Sequence, residues 1–208
     1  IVYATNDSGP IPTGTNQGDY LYWNNSTNSW SVGNTNIILG QYSGQSNQGS
    51  NAIAIGNQAG QYSQGTTSVA IGYQAGQNSQ GSSSVSIGND AGQYTQGISS
   101  IAIGNQAGYS QQGTTSIAIG NQAGQYSQGN YSVAIGNFAG QSNQPTNSIV
   151  LNAGSSGFSV SNQNSFYVNP IRNDNTQTTS LYYNTITKEI VYANNDSGPI
   201  SVGTNWGD

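Results

Sequence analysis

Ser116-Ile117-Ala118-Ile119-Gly120-Asn121-Gln122-Ala123-Gly124-Gln125-Tyr126-Ser127-Gln128-Gly129 is the fullest statement of a phrase that fills the middle of the chain. Its aliphatic pair returns every sixteen residues, at Ile37/Leu39, Ile53/Ile55, Val69/Ile71, Val85/Ile87, Ile101/Ile103, Ile117/Ile119, Val133/Ile135 and Ile149/Leu151. A fixed period of that size marks a stacked repeat in which each copy is one structural unit. The central region is therefore read as eight repeats over residues 36–152.

Within the phrase, Ile-Ala-Ile sets two β-favouring aliphatics at i and i+2, on one face of a short strand, with Ala on the other. The expectation is that the Ile, Val and Leu of all eight pairs form the structural core and that the intervening Ala or Ser faces outward. The Ala row at 54, 70, 102, 118 and 134 is small enough for a second chain to approach closely. Glycines recur at 40, 56, 72, 88, 104, 120 and 136, and again at 44, 60, 76, 92, 108, 124 and 140. A third row runs through Gly49, Gly65, Gly81, Gly97, Gly113 and Gly129, with Pro145 in the last copy. Glycine tolerates positive φ, so these rows are the expected corners of each coil. The chain contains no Asn-Gly dipeptide, the favoured two-residue hairpin turn, which argues for coils stacked in parallel.

Polar positions repeat as strictly. Gln at 48, 64, 80, 96, 112, 128 and 144 and Ser at 68, 84, 100, 116, 132 and 148 would lie ~4.8 Å from their copies in neighbouring coils, as ladders that stabilise the stack. These rows are read as structural and not as a ligand site. The position of Tyr62, Tyr94 and Tyr126 carries Ser46, Asn78, Ser110 or Ser142 elsewhere, and such variation fits an outward face.

Ser132–Gly136, Ser68–Gly72 and Ser116–Gly120, with their period and corner glycines, resemble the head repeats of YadA-like trimeric autotransporter adhesins. The resemblance covers about residues 36–152. It implies that each repeat is one coil of a left-handed parallel β-roll and that three chains wind side by side into a fibre. The fold class expected is thus all-β, a left-handed parallel β-roll or solenoid of sixteen-residue coils flanked by β-hairpin connectors, in a homotrimer. Independently, one coil buries too little aliphatic surface to offset the ordering of sixteen backbones, which by itself calls for more than one chain.

Only 33% of residues are hydrophobic and 4% charged, which excludes an ordinary globular core, while fourteen Tyr, three Trp and the Ile/Val rows argue against disorder. Two cations against seven acids leave no basic patch for phosphates, so no nucleic acid is expected as a partner. With no His and no Cys, imidazole bases, thiolate nucleophiles, zinc sites and disulfides are ruled out, and Asp90 is the one acid in the array, so RTX-type calcium loops are lacking as well. The densest polar cluster, Arg172, Asp174, Lys188 and Glu189, reads as ordinary surface ion pairs. No catalytic, cofactor-binding or metal-binding residue is assigned, and an enzyme is not expected. No apolar run reaches the ~18–20 residues that span a bilayer, so membrane insertion is not expected.

Residues 1–35 form an N-terminal connector. Tyr20-Leu21-Tyr22-Trp23 and Ser29-Trp30-Ser31-Val32 around Asn24–Asn28 read as an aromatic hairpin in which Trp23 and Trp30 pair and cap the first coil. An aromatic sugar platform is the sharper alternative for that pair. After Leu151 the period fails, and 153–189 is read as a C-terminal connector. It holds strands at Phe158-Ser159-Val160 and Ser165–Val168 and a hairpin of Leu181–Asn184 with Lys188–Tyr192. Residues 158–192 resemble connector segments in tail fibres and surface proteins of phages and large viruses. Ile190–Asp208 restates Ile1–Asp19 at an offset of 189 with four differences, so 190–208 is expected to open a following module, with Asp-Ser-Gly-Pro as the turn between modules.

The leading functional expectation is a structural segment of an extracellular, cell-surface or virion-surface fibre, built from tandem or head-to-tail β-roll modules. The alternative is an adhesin head that binds host glycan or matrix. A third reading, an ice-binding solenoid, lacks the sustained Thr-x-Thr ladder such a face needs.

Overall fold

The computed structural model describes residues 11–24, 26–33, 35–157, 160–173 and 179–194, in two units divided after Pro170. The first holds a hairpin and the roll. The hairpin pairs β1 (Tyr20–Asn24) with β2 (Ser29–Gly33) antiparallel. One face of the roll is a nine-stranded parallel sheet of β3 (Ile37–Leu39), β4 (Ile53–Ile55), β6 (Val69–Ile71), β8 (Val85–Ile87), β10 (Ile101–Ile103), β12 (Ile117–Ile119), β13 (Val133–Gly136), β14 (Ile149–Asn152) and β15 (Phe166–Asn169). The facing sheet has four strands, β5 (Tyr62–Gln64), β7 (Asn78–Gln80), β9 (Tyr94–Gln96) and β11 (Ser110–Gln112), and isolated bridges continue it to Ser46, Tyr126 and Ser142. Every pairing in both sheets is parallel, and all but the last, β14 with β15, keep the sixteen-residue register, as in Ile101↔Ile117 and Tyr94↔Asn78. The described residues thus form an all-β parallel solenoid of about eight coils, with no helix among them.

The inward and outward faces are the reverse of expectation. Ala54, Ala70, Ala102, Ala118 and Ala134 are 0% exposed, while the flanking residues of each strand are half-buried or exposed. Ile37, Leu39, Ile135 and Ile149 are exposed, and Ile53, Ile55, Val69, Ile71, Val85, Ile87, Ile101, Ile103, Ile117, Ile119, Val133 and Leu151 half-buried, so these sixteen side chains are not the core of the roll. The reason is the thinness of the coil. A single glutamine spans it: Gln64 Nε2 donates to the Ile53 carbonyl at 2.8 Å, and Gln80, Gln96, Gln112, Gln128 and Gln144 make the same bond to Val69, Val85, Ile101, Ile117 and Val133. Alanine methyls and these amides fill the space between the sheets, which leaves no volume for an inward isoleucine. Where Ser86 replaces Ala, its hydroxyl donates to Gln96 Oε1 at 2.7 Å. Larger inward residues stand at the ends, Ile38 in the first coil and Val150 and Tyr167 in the last two.

The serine row is also internal, but it acts within its own coil. Ser68, Ser84, Ser100, Ser116 and Ser132 donate to the carbonyl three residues back, at 2.6–2.7 Å, and lock the corner. A second amide column joins Gln61 to Gln45, Gln77 to Gln61 and Gln93 to Gln77. Backbone groups alternate in direction: Ile53 N–H reaches forward to Ser68, while Gln58, Ser63 and Thr67, all with φ of 55–59°, reach back to Gln41, Ser46 and Ser50.

The corner glycines serve two ends. Gly88 has a φ of 132°, and a Cβ there would stand 2.5 Å from the Gly104 carbonyl oxygen. Gly97 has no positive φ, yet a Cβ would meet the Gly113 carbonyl carbon at 2.5 Å, so the third row is glycine for close approach and not for backbone freedom.

The sheet continues past residue 152. β15 pairs with β14 as Ile149↔Phe166 and Leu151↔Val168, one coil further on at a spacing of seventeen. Of the expected strand 158–160, residues 158 and 159 lie outside the described residues, as do 1–10, Asp174 and 195–208, and with them most of the repeated ends. The second unit contains the hairpin of β16 (Thr179–Tyr183) and β17 (Ile190–Asn194). Its turn copies the first: Asn24 Oδ1 accepts from the N–H groups of Ser26 and Thr27, and Asn184 Oδ1 from those of Ile186 and Thr187. Of the polar cluster read there, Glu189 accepts a hydrogen bond from the Thr187 hydroxyl at 2.9 Å.

Replacing Gly88 with Ala is expected to destabilise the roll by at least ~2 kcal/mol, since both φ and the Gly104 carbonyl oppose a side chain. A thermal melt within a degree of the parent protein would contradict the corner geometry.

Candidate interaction surfaces

Strict register turns the outward pairs into two continuous rows. One runs from Ile37 to Ile149 and on to Phe166, the other from Leu39 to Leu151 and on to Val168, and no charged residue interrupts either. Nine strands at ~4.8 Å give a face ~38 Å long. Phe166 and Val168 were not assigned to these rows from sequence, because the extra residue before β15 hides the period. An apolar face of this extent on one chain marks an interaction surface.

At the first coil the open edge of the nine-stranded sheet is closed by a side chain. The Tyr20 hydroxyl accepts from the Ile38 N–H at 2.8 Å and donates to the Asn36 carbonyl at 2.6 Å, taking the place of a neighbouring strand. Burial pushes the Tyr20 phenol up, against the opposing effect of the Ile38 bond. Trp23 and Trp30 do pair across the hairpin, edge to face at 5.7 Å and 82°. The edge bonds come from Tyr20 instead. Between hairpin and coil lies a cleft of about 810 Å³ lined by residues that include Trp23, Trp30, Leu39, Gln41, Tyr42 and Gln45.

The outer face of the smaller sheet carries Tyr62, Tyr94 and Tyr126, all exposed as the sequence implied. Tyr109 lies between the last two, with centroids 5.3 Å from Tyr94 and 5.8 Å from Tyr126. Its phenol is pushed up, chiefly by burial and then by Tyr94, Asp90 and Tyr126. Asp90 occupies a place held by Gln58, Gln74, Gln106 and Gln122 in other coils, and burial raises its carboxyl despite a bond from Gln106. Among the described residues no group of three or more acidic side chains is placed to hold a metal.

A family model described as the YadA head domain repeat matches residues 112–139, in two copies. The coils at 112–139 are thus similar to YadA head repeats, and they stand within a parallel β-solenoid whose other coils share their register. Comparison with curated proteins and with solved structures returned no match. The likeness of 158–192 to phage and viral connectors has no counterpart among these findings.

Removing the Tyr20 hydroxyl with Tyr20→Phe leaves the Ile38 N–H and the Asn36 carbonyl without these partners. Amide exchange at Ile38 is expected to accelerate about tenfold, equivalent to ~1.4 kcal/mol, while exchange at Ile103 stays unchanged. Equal rates at Ile38 in both proteins would remove the hydroxyl from its capping role.

Proposed function

We propose that this chain is a rod segment of an extracellular or surface fibre in which three copies associate through their nine-stranded sheets. The observation that carries the reading is the pair of uninterrupted aliphatic rows on the outside of a roll whose interior is already full. Without a partner, most of the larger apolar side chains of the repeats would remain against water, at a cost of ~25 cal/mol per Å² of area left uncovered. The resemblance to YadA-like head repeats supports the number three and the left-handed winding. The same likeness supports a location outside the cell or on a cell surface, and the likeness of 158–192 to phage and viral connectors supports a place on a virion.

The boundaries proposed are a connector at 1–35, the repeats at 36–152, a second connector at 153–189 and the opening of a further module at 190–208. The restatement of 1–19 at 190–208 supports a tandem or head-to-tail fibre.

Sedimentation equilibrium on the purified chain is expected to give the mass of three copies. Ile103→Val should keep that mass, and Ile103→Asp should abolish it, because a charge would be set into an apolar contact between chains. Ala102→Asp, placed in the filled interior, should instead destroy the β signal in circular dichroism. A single-chain mass for the unaltered protein at all concentrations would overturn the reading.

A further inference from the structure

Tyr62, Tyr94 and Tyr126 occupy one register position on every second coil, with Asn78 and Ser110 in the coils between. Two coils place successive phenols ~9.6 Å apart along the stack. They project from the sheet opposite the aliphatic rows: the positive φ of Ser63, Thr95 and Ser127 breaks the strand alternation, so that each Tyr is exposed while the Gln two residues on, at 64, 96 and 128, is buried. A surface used for self-association through the nine-stranded sheet therefore leaves this one open.

A second, independent feature lies at the coil between Tyr94 and Tyr126. Where its neighbours read Gly92-Gln93-Tyr94-Thr95-Gln96 and Gly124-Gln125-Tyr126-Ser127-Gln128, this coil reads Gly108-Tyr109-Ser110-Gln111-Gln112. Tyr109 thus stands where Gln61, Gln77, Gln93, Gln125 and Gln141 stand elsewhere, and the amide column is broken: Gln93 bonds Gln77 and Gln141 bonds Gln125, with no amide to join the two halves. Gly108 turns to a φ of 100°, against 51–54° at its counterparts. The ring fills the gap in the tyrosine row edge-on, at 85° and 83° to its neighbours, and joins three phenols into one strip. The strands β5, β7, β9 and β11 carry no charged residue, only Tyr, Ser, Thr, Asn and Gln.

We propose that this strip binds a neutral, extended, β-1,4-linked polysaccharide running along the stacking axis. A β-1,4-linked chain turns over at each sugar and presents the same face at every second one, an interval close to that of two coils. Its apolar C–H faces pack on the phenol rings, and its hydroxyls meet the hydroxyls and amides of the rows beside them. A nucleic acid or an acidic glycan would lack the cations it needs, since the strip has none. The inference rests on the coil geometry and not on the number of associated chains.

The test is titration calorimetry of the full chain with cellohexaose, chitohexaose and, as the α-linked control, maltohexaose, with the sedimentation mass measured on the same samples. At least one β-linked hexasaccharide is expected to bind, and maltohexaose is not. Tyr94→Ala with Tyr126→Ala should weaken binding at least tenfold with an unchanged circular dichroism spectrum. Tyr94→Phe with Tyr126→Phe, which keeps the rings, should weaken it less, and Tyr131→Ala, outside the strip, should not alter it. Which β-linked sugar wins identifies a glucan or an N-acetylglucosamine polymer. Absence of binding by both β-linked sugars, equal binding of maltohexaose, or affinity indifferent to the paired alanine variant would overturn the proposal. A single-chain mass with tyrosine-dependent binding would overturn the trimer and leave this proposal intact.

Discussion

The distance that one glutamine side chain can span sets the thickness of this molecule. Each coil closes when a Gln amide on one sheet reaches a backbone carbonyl on the other, as Gln96 reaches Val85. That bond draws the two sheets so near that only a methyl group fits opposite. Alanine is thus the inward residue of five of the eight coils, and the aliphatics that alternate with it are driven to the outer face. The rows that suit the surface to a partner and the column that suits the interior to itself are two consequences of one spacing.

So thin a coil has little room for error at its corners. The chain enters left-handed backbone at glycine and at non-glycine positions alike, and in the coil after β4 the residues are Gly56, Gln58, Gly60, Ser63 and Thr67. An L-residue disfavours such a conformation, and here each of the three non-glycine residues directs its N–H to the preceding coil. Stacking therefore holds the corners as much as the corners permit stacking. Asp90 shows the reverse case: an acid in an amide row cannot donate onward, and its Oδ1 is buried without a hydrogen-bond partner.

The period, the positions of the aliphatic strands, the parallel register and the aromatic hairpin could all be read from the residues, while the four strands of the facing sheet could not. Repetition at sixteen and alternation at two are properties of sequence alone. Which face of the alternation turns inward could not be read in the same way. Ile-Ala-Ile defines two faces with equal clarity, and the usual rule that larger aliphatics go inside chose the wrong one, because the deciding group, Gln64 or its copies, lies eleven residues away on another strand. The glutamine row was legible as a ladder but not as an interior one. Tyr20 escaped notice since nothing local marks a hydroxyl that will stand in for a strand, and although 165–168 read as a strand, its place in the nine-stranded sheet was hidden by one inserted residue. Serine at 68 and its copies looked like links between coils and proved to be links within them.

The central claim is that the aliphatic rows of separate copies meet. The chain has no cysteine, so a single one placed at Ile87 reports on that face without interference. Oxidation of Ile87→Cys at low protein concentration, followed on a non-reducing gel, is expected to give a covalent dimer that a cysteine at Tyr131 does not give. Ile87→Cys chains that remain single under conditions that oxidise a control dithiol would contradict the account.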